Sequence, residues 1–92
     1  MKTKTERPVV VTTEFRGVFF GYATETDGDP IKLKRARNVI SWTADIRGFI
    51  GLASLGPNGS CRIGPAADIE LRKITSVIEV TPEAEAKWNS LK

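Results

Sequence analysis

The chain has 92 residues, 40% of them hydrophobic and 27% charged, with a net charge of +3. That is the size and balance of one small globular domain, not of a disordered tail or a membrane protein. Histidine is absent and Cys61 is the single cysteine, which excludes an internal disulfide, an ordinary Cys/His zinc site and His-based acid–base catalysis.

Residues 1–7, MKTKTER, are polar and charged and read as a flexible N-terminal arm. They lack the apolar core of a signal peptide, and no apolar run reaches the ~20 residues of a membrane span. A cytoplasmic location is therefore expected, with no membrane partner. Residues 8–92 read as a single β-rich domain. Pro8 opens a β-branched strand over Val9–Thr13, and Val18–Thr24 follows as a second. A turn around Arg16-Gly17 would join them as a hairpin, and Gly21 marks a bulge or a close backbone approach.

The Thr26–Pro30 segment, TDGDP, is a turn by its Asp, Gly and Pro content. Its carboxylates read first as turn residues, not as a cation site. Ile31–Arg35 then alternates apolar and basic, which points Ile31 and Leu33 at the core. Asn38–Trp42 continues as a strand beyond a turn or bulge at Ala36–Arg37.

Two readings fit residues 43–55. Thr43 as an N-cap, with Ile46, Phe49, Ile50 and Ala53 at helical spacing, gives a short central helix that stops at Gly56-Pro57. A strand with Ile46, Gly48, Ile50 and Leu52 on one face is the alternative, because Gly48 and Gly51 weaken a helix. On a helix these two glycines, three apart, would make a smooth patch for another backbone. Cys61–Ile63 reads as a short strand with Cys61 as a small core residue. Ala67–Leu71 and Ile74–Val80 read as two strands, or one bent strand, around Arg72-Lys73. Thr81-Pro82 starts a C-terminal helix with Glu83 and Glu85 in its first turn, and Ala84, Trp88 and Leu91 on its docking face. The expected fold is α+β: a mainly antiparallel sheet of five to seven strands with a short central helix and a C-terminal helix.

The segment Arg37–Ala66 draws most functional interest. It carries five of the eight glycines and three arginines against one acid, Asp45. From Ile31 to Gly64 there are six basic residues and one acidic, a local charge of +5. Such a field suits an anionic partner. No phosphate-loop or dinucleotide-binding glycine pattern is present, and no catalytic constellation is evident. The expected activity is binding, not catalysis, and no cofactor is called for. Arg37, Arg47 and Arg62 are the candidate anion donors, with Trp42 or Tyr22 as stacking faces. The competing account pairs those arginines with Asp45, Asp68 or Glu70 in a structural role.

The segments RGVFFGY (Arg16–Tyr22), IRGFIGLASLGP (Ile46–Pro57), CRIGPA (Cys61–Ala66) and ITSVIEVTPEA (Ile74–Ala84) resemble a family of small uncharacterised proteins carried by tailed phages and prophages. The resemblance implies a phage context, and hence the host cytoplasm, but no activity and no functional residues. Size and strand content also resemble small ring-forming RNA-binding β proteins such as the tryptophan-responsive attenuation protein, in architecture alone. The leading expectation is a homo-oligomeric module binding a nucleotide signal or a nucleic acid, in a regulatory or anti-defence role. The alternative is a structural or assembly component of a phage particle, acting through protein–protein contacts.

Overall fold

The structure, a computed structural model, describes residues 6–14, 17–27, 30–58 and 61–90. Six strands and two α-helices form an α+β domain: β1 (Arg7–Thr13), β2 (Val18–Ala23), β3 (Ile31–Ser41), α1 (Gly48–Ser54), β4 (Arg62–Ile63), β5 (Ala67–Leu71), β6 (Ile74–Glu79) and α2 (Pro82–Ser90). A 3-10 turn at Ala44–Ile46 precedes α1. The fold class expected from the sequence is the one found.

All pairings are antiparallel. The strand order is β4-β3-β2-β1-β6, and β5 pairs with β3. Chain connectivity forces this sheet to curl. In a flat sheet β5 and β6 would lie four strand spacings apart, about 19 Å. Only Arg72 and Lys73 join them, and three residue steps span at most about 11 Å. The stretch 67–79 therefore bends around, with β5 along β3 and β6 along β1. Lys73 takes a left-handed φ of 59° at the bend.

Burial follows from this curvature. Val9, Val10 and Val11 are all fully buried, because β1 is covered on both faces. Val10, Phe20 and Val39 face α1 and α2 and pack with Leu52, Ala84 and Trp88. Val9 and Val11 point into the curl with Leu33, Ala36 and Leu71. Gly21 lies at a register shift between β2 and β3. A Cβ there would sit 3.1 Å from the Ala36 Cα and the Leu33 Cβ, so the close approach expected at this glycine is present.

Several local expectations need correction. The two segments 31–35 and 38–42 form one eleven-residue strand, and Trp42 lies just beyond its end. Its irregularity centres on Arg35, at φ 52°, not on Ala36–Arg37. The Asp68 carboxylate accepts the Arg35 backbone N–H at 2.9 Å and holds the bulge there. The central helix exists, but Thr43 does not cap it with its side chain. Thr43 instead donates its hydroxyl to Asp45, and Arg47, in a left-handed conformation, separates the 3-10 turn from α1.

Helical spacing also misplaced one side chain: Ile50 is 59% exposed, while Leu52 is buried. The kink at Arg47 rotates α1 relative to the Ile46 turn, so the two do not share one helical register. Gly48 and Gly51 form no common patch. Gly48 opens onto space, whereas a Cβ on Gly51 would meet the Ile46 carbonyl oxygen at 1.5 Å. Cys61 is half-buried at the edge of the core and contacts Asn58, and β4 begins after it.

The C-terminal helix matches its sequence signals. The Thr81 hydroxyl accepts the Ala84 N–H at 3.1 Å and donates to the Ser54 carbonyl at 2.9 Å, tying α2 to the end of α1. Ala84 and Trp88 are buried as expected; Leu91 lies outside the described residues. So do residues 1–5 of the expected arm. Arg7 belongs to β1 and pairs with Glu79 at 2.8 Å, and Glu6 pairs with Arg35 at 2.6 Å.

Candidate functional site

A groove of about 710 Å³ lies where the β1–β2 end meets β6, Trp42 and α1. Its position follows from the fold. Trp42 leaves β3 just before the 3-10 turn, and Phe49 stands in the first turn of α1. Both half-buried rings therefore reach the sheet face beside Val18. The opposite wall is polar. Thr12 sits directly across from Ser76 in the β1–β6 register, and a shift there leaves Thr75 as the extra residue of β6. The Thr12 hydroxyl contacts both the Thr75 hydroxyl, at 2.7 Å, and the Ser76 hydroxyl. These mutual bonds allow Thr12, 7% exposed, to lie buried without an orphaned polar atom.

Glu14 stands at the end of the groove. Its backbone N–H is fixed to the Lys73 carbonyl at 2.9 Å, while its carboxylate has no hydrogen-bond or ion-pair partner among the described residues. No lysine or arginine lines this groove among the described residues.

The five residues expected to form a site do not converge. Only Trp42 lines the large groove. Tyr22 and Arg37 share a smaller hollow of about 210 Å³ with Arg35 and Asn89. Tyr22 is engaged on every side. Its hydroxyl donates to Glu85 at 2.8 Å, the Arg35 guanidinium lies 4.4 Å from its ring centre, and Phe20 meets it edge-on at 5.5 Å. Burial, and then the bond to Glu85, pushes the Tyr22 hydroxyl pKa above its ordinary value. The ring thus ties β2 to α2. Arg37 donates its Nε–H to the Gly64 carbonyl at 2.9 Å. Arg47 and Arg62 are exposed, line neither hollow, and their side chains have no partner among the described residues.

The acids proposed as structural partners are otherwise occupied. Asp45 accepts from Thr43 and Asn58, Asp68 from the Arg35 backbone with Lys34 at 3.6 Å, and Glu70 from Arg72 at 2.8 Å. Of the six basic residues from Ile31 to Gly64, Lys34 and Arg35 are ion-paired, with Asp68 and Glu6. The sequence reading missed Thr12, Glu14, Phe49, Thr75 and Ser76 as groove residues. The sequence marks Phe49 only as one of the helically spaced apolar residues, and the hydroxyl wall depends on pairing residues 64 apart, for which the sequence carries no local signal.

Among the described residues no group of His, Cys, Asp and Glu could hold a metal, and no helix is long and apolar enough to cross a membrane. Comparison with curated proteins and with solved structures finds no match. Residues 6–88 match the family model described as Domain of unknown function (DUF6948), and the chain belongs to that family.

Proposed function

We propose that the protein is a non-enzymatic binding module whose ligand enters the Trp42 groove. The observation that supports this most is the pairing of two half-buried aromatic rings with a hydroxyl wall around about 710 Å³ of space. That volume and that mix of apolar walls with a few polar groups are those of small-ligand sites. A phage or prophage context is part of the reading and rests on sequence resemblance alone; a regulatory or anti-defence role is proposed as the use such a binding module would have there.

The test is a screen of soluble ring-containing compounds by amide and indole NMR shifts. The expected result is saturable shifts at Trp42, Phe49 and Ser76 that disappear in Trp42→Ala while the fold persists. Shifts that map instead to Arg47 and Arg62 would replace the groove by the second reading.

That second reading is an anionic ligand, such as a nucleotide or nucleic acid, held on the outer surface. It is favoured by Arg47 and Arg62, both exposed and unpaired among the described residues. Self-association belongs to the same proposal. Ile40, Ile50 and Leu55 are large apolar side chains left 58%, 59% and 47% exposed, and contact between copies would cover them.

A further inference from the structure

We propose that the groove selects an organic cation, an ammonium or guanidinium group on an apolar stem. This rests on the groove being the ligand site. Three features of the wall converge on it. Trp42 and Phe49 supply aromatic faces, whose quadrupoles attract a cation and whose surfaces cover an apolar stem. Glu14 supplies the one charged side chain on the wall among the described residues, and its carboxylate is unpartnered there. Thr13 and Thr75 add hydroxyl oxygens that can accept from N–H donors.

The other ligand charges fit less well. An anion would face the Glu14 carboxylate, with no lysine or arginine on the wall among the described residues to offset it. A neutral apolar ligand would draw no attraction from that exposed carboxylate.

Three probes of one shape test the inference on the whole chain: 3-phenylpropylammonium, 3-phenylpropanol and 3-phenylpropanoate, each titrated by NMR. The cation is expected to shift the Trp42 indole and Thr75 signals saturably, with the alcohol about tenfold weaker and the carboxylate weaker still. In Glu14→Gln the preference for the cation over the alcohol should shrink to the smaller part that the aromatic rings supply, with an unchanged melting temperature. Equal binding of all three by the wild type overturns the charge selection and leaves the groove as a ligand site. A preference of undiminished size in Glu14→Gln also overturns it, since the carboxylate would then contribute nothing. If no probe moves the groove signals, both the inference and the groove reading fail.

Discussion

The Trp88 indole lies flat on the Phe20 ring, with centres 4.4 Å apart and planes 3° from parallel. Its Nε1–H donates to the Leu52 carbonyl at 3.1 Å, so one side chain joins α2, β2 and α1. With 1% of its surface exposed, Trp88→Ala should destabilise the fold by about 3–5 kcal/mol. Trp88→Phe keeps the stacking but leaves the Leu52 oxygen unsatisfied, and should cost less than the alanine variant. Chemical denaturation measures both. Wild-type midpoints for the alanine variant would mean that α2 does not hold the fold together.

The two glycines of α1 should respond differently to alanine. At Gly51 the added methyl would collide with the Ile46 carbonyl oxygen, so the 3-10 turn or the helix must shift. Gly51→Ala should cost about 3 kcal/mol or more, at the upper end of overpacking effects. At Gly48 the methyl meets nothing within 4 Å, and only the left-handed φ of 77° penalises it. Gly48→Ala should therefore cost about 1–2 kcal/mol. Equal melting of the two variants would contradict this ordering.

These two glycines also show where sequence reasoning stops. Their spacing suggested a shared surface patch, a reading that needs both glycines open on one helical face, whereas Gly51 is closed off by the Ile46 carbonyl. The left-handed Arg47 breaks the helix expected from Thr43, and no local signal marks an arginine for that conformation. The same limit explains the scattered arginines. Arg37 is held at Gly64 by the packing of the 64–66 segment against β3, a tertiary contact. By contrast α2 was legible throughout, because its cap, its proline and its acidic first turn act within a few residues of one another. The strands were legible in composition and nearly so in extent. The curl was not, since it depends on which distant strands β5 and β6 pair with.

Acid should weaken the bulge and the 3-10 turn. The Arg35 backbone N–H, and then Lys34, holds the Asp68 carboxyl below its ordinary value of 3.8. The Thr43 hydroxyl, with backbone and Asn58 donors, does the same for Asp45. A pKa lowered in the folded state contributes stability that is present above the unfolded value. That contribution is lost as pH falls from about 3.8 through the lower folded value. Both side chains are exposed, so the effect is small. Asp45→Asn and Asp68→Asn should each flatten the fall in melting temperature below pH 4. Curves parallel to wild type throughout that range would show that neither carboxylate is linked to folding.

Arg37, Arg47 and Arg62 should separate into one structural residue and two surface residues. Arg37 is half-buried and donates to a backbone carbonyl, and Gly64 is held to the same strand by its own N–H on the Asn38 oxygen at 2.9 Å. Arg37→Ala removes a charge-assisted bond in this lock and should cost about 1–2 kcal/mol of stability. Arg47→Ala and Arg62→Ala remove exposed side chains without partners among the described residues, and should stay within about 0.5 kcal/mol of wild type. Alanine tolerates the left-handed backbone at position 47 no better than arginine, so that strain cancels from the comparison. Arg47→Gly, which relieves it, should stabilise by about 1 kcal/mol. Titration with adenosine monophosphate then addresses the anionic reading. If the outer surface binds the nucleotide, affinity should fall in Arg47→Ala and Arg62→Ala while their melting temperatures hold. If either variant loses stability to the degree expected of Arg37→Ala, that arginine belongs to the fold, and the anionic reading loses a donor.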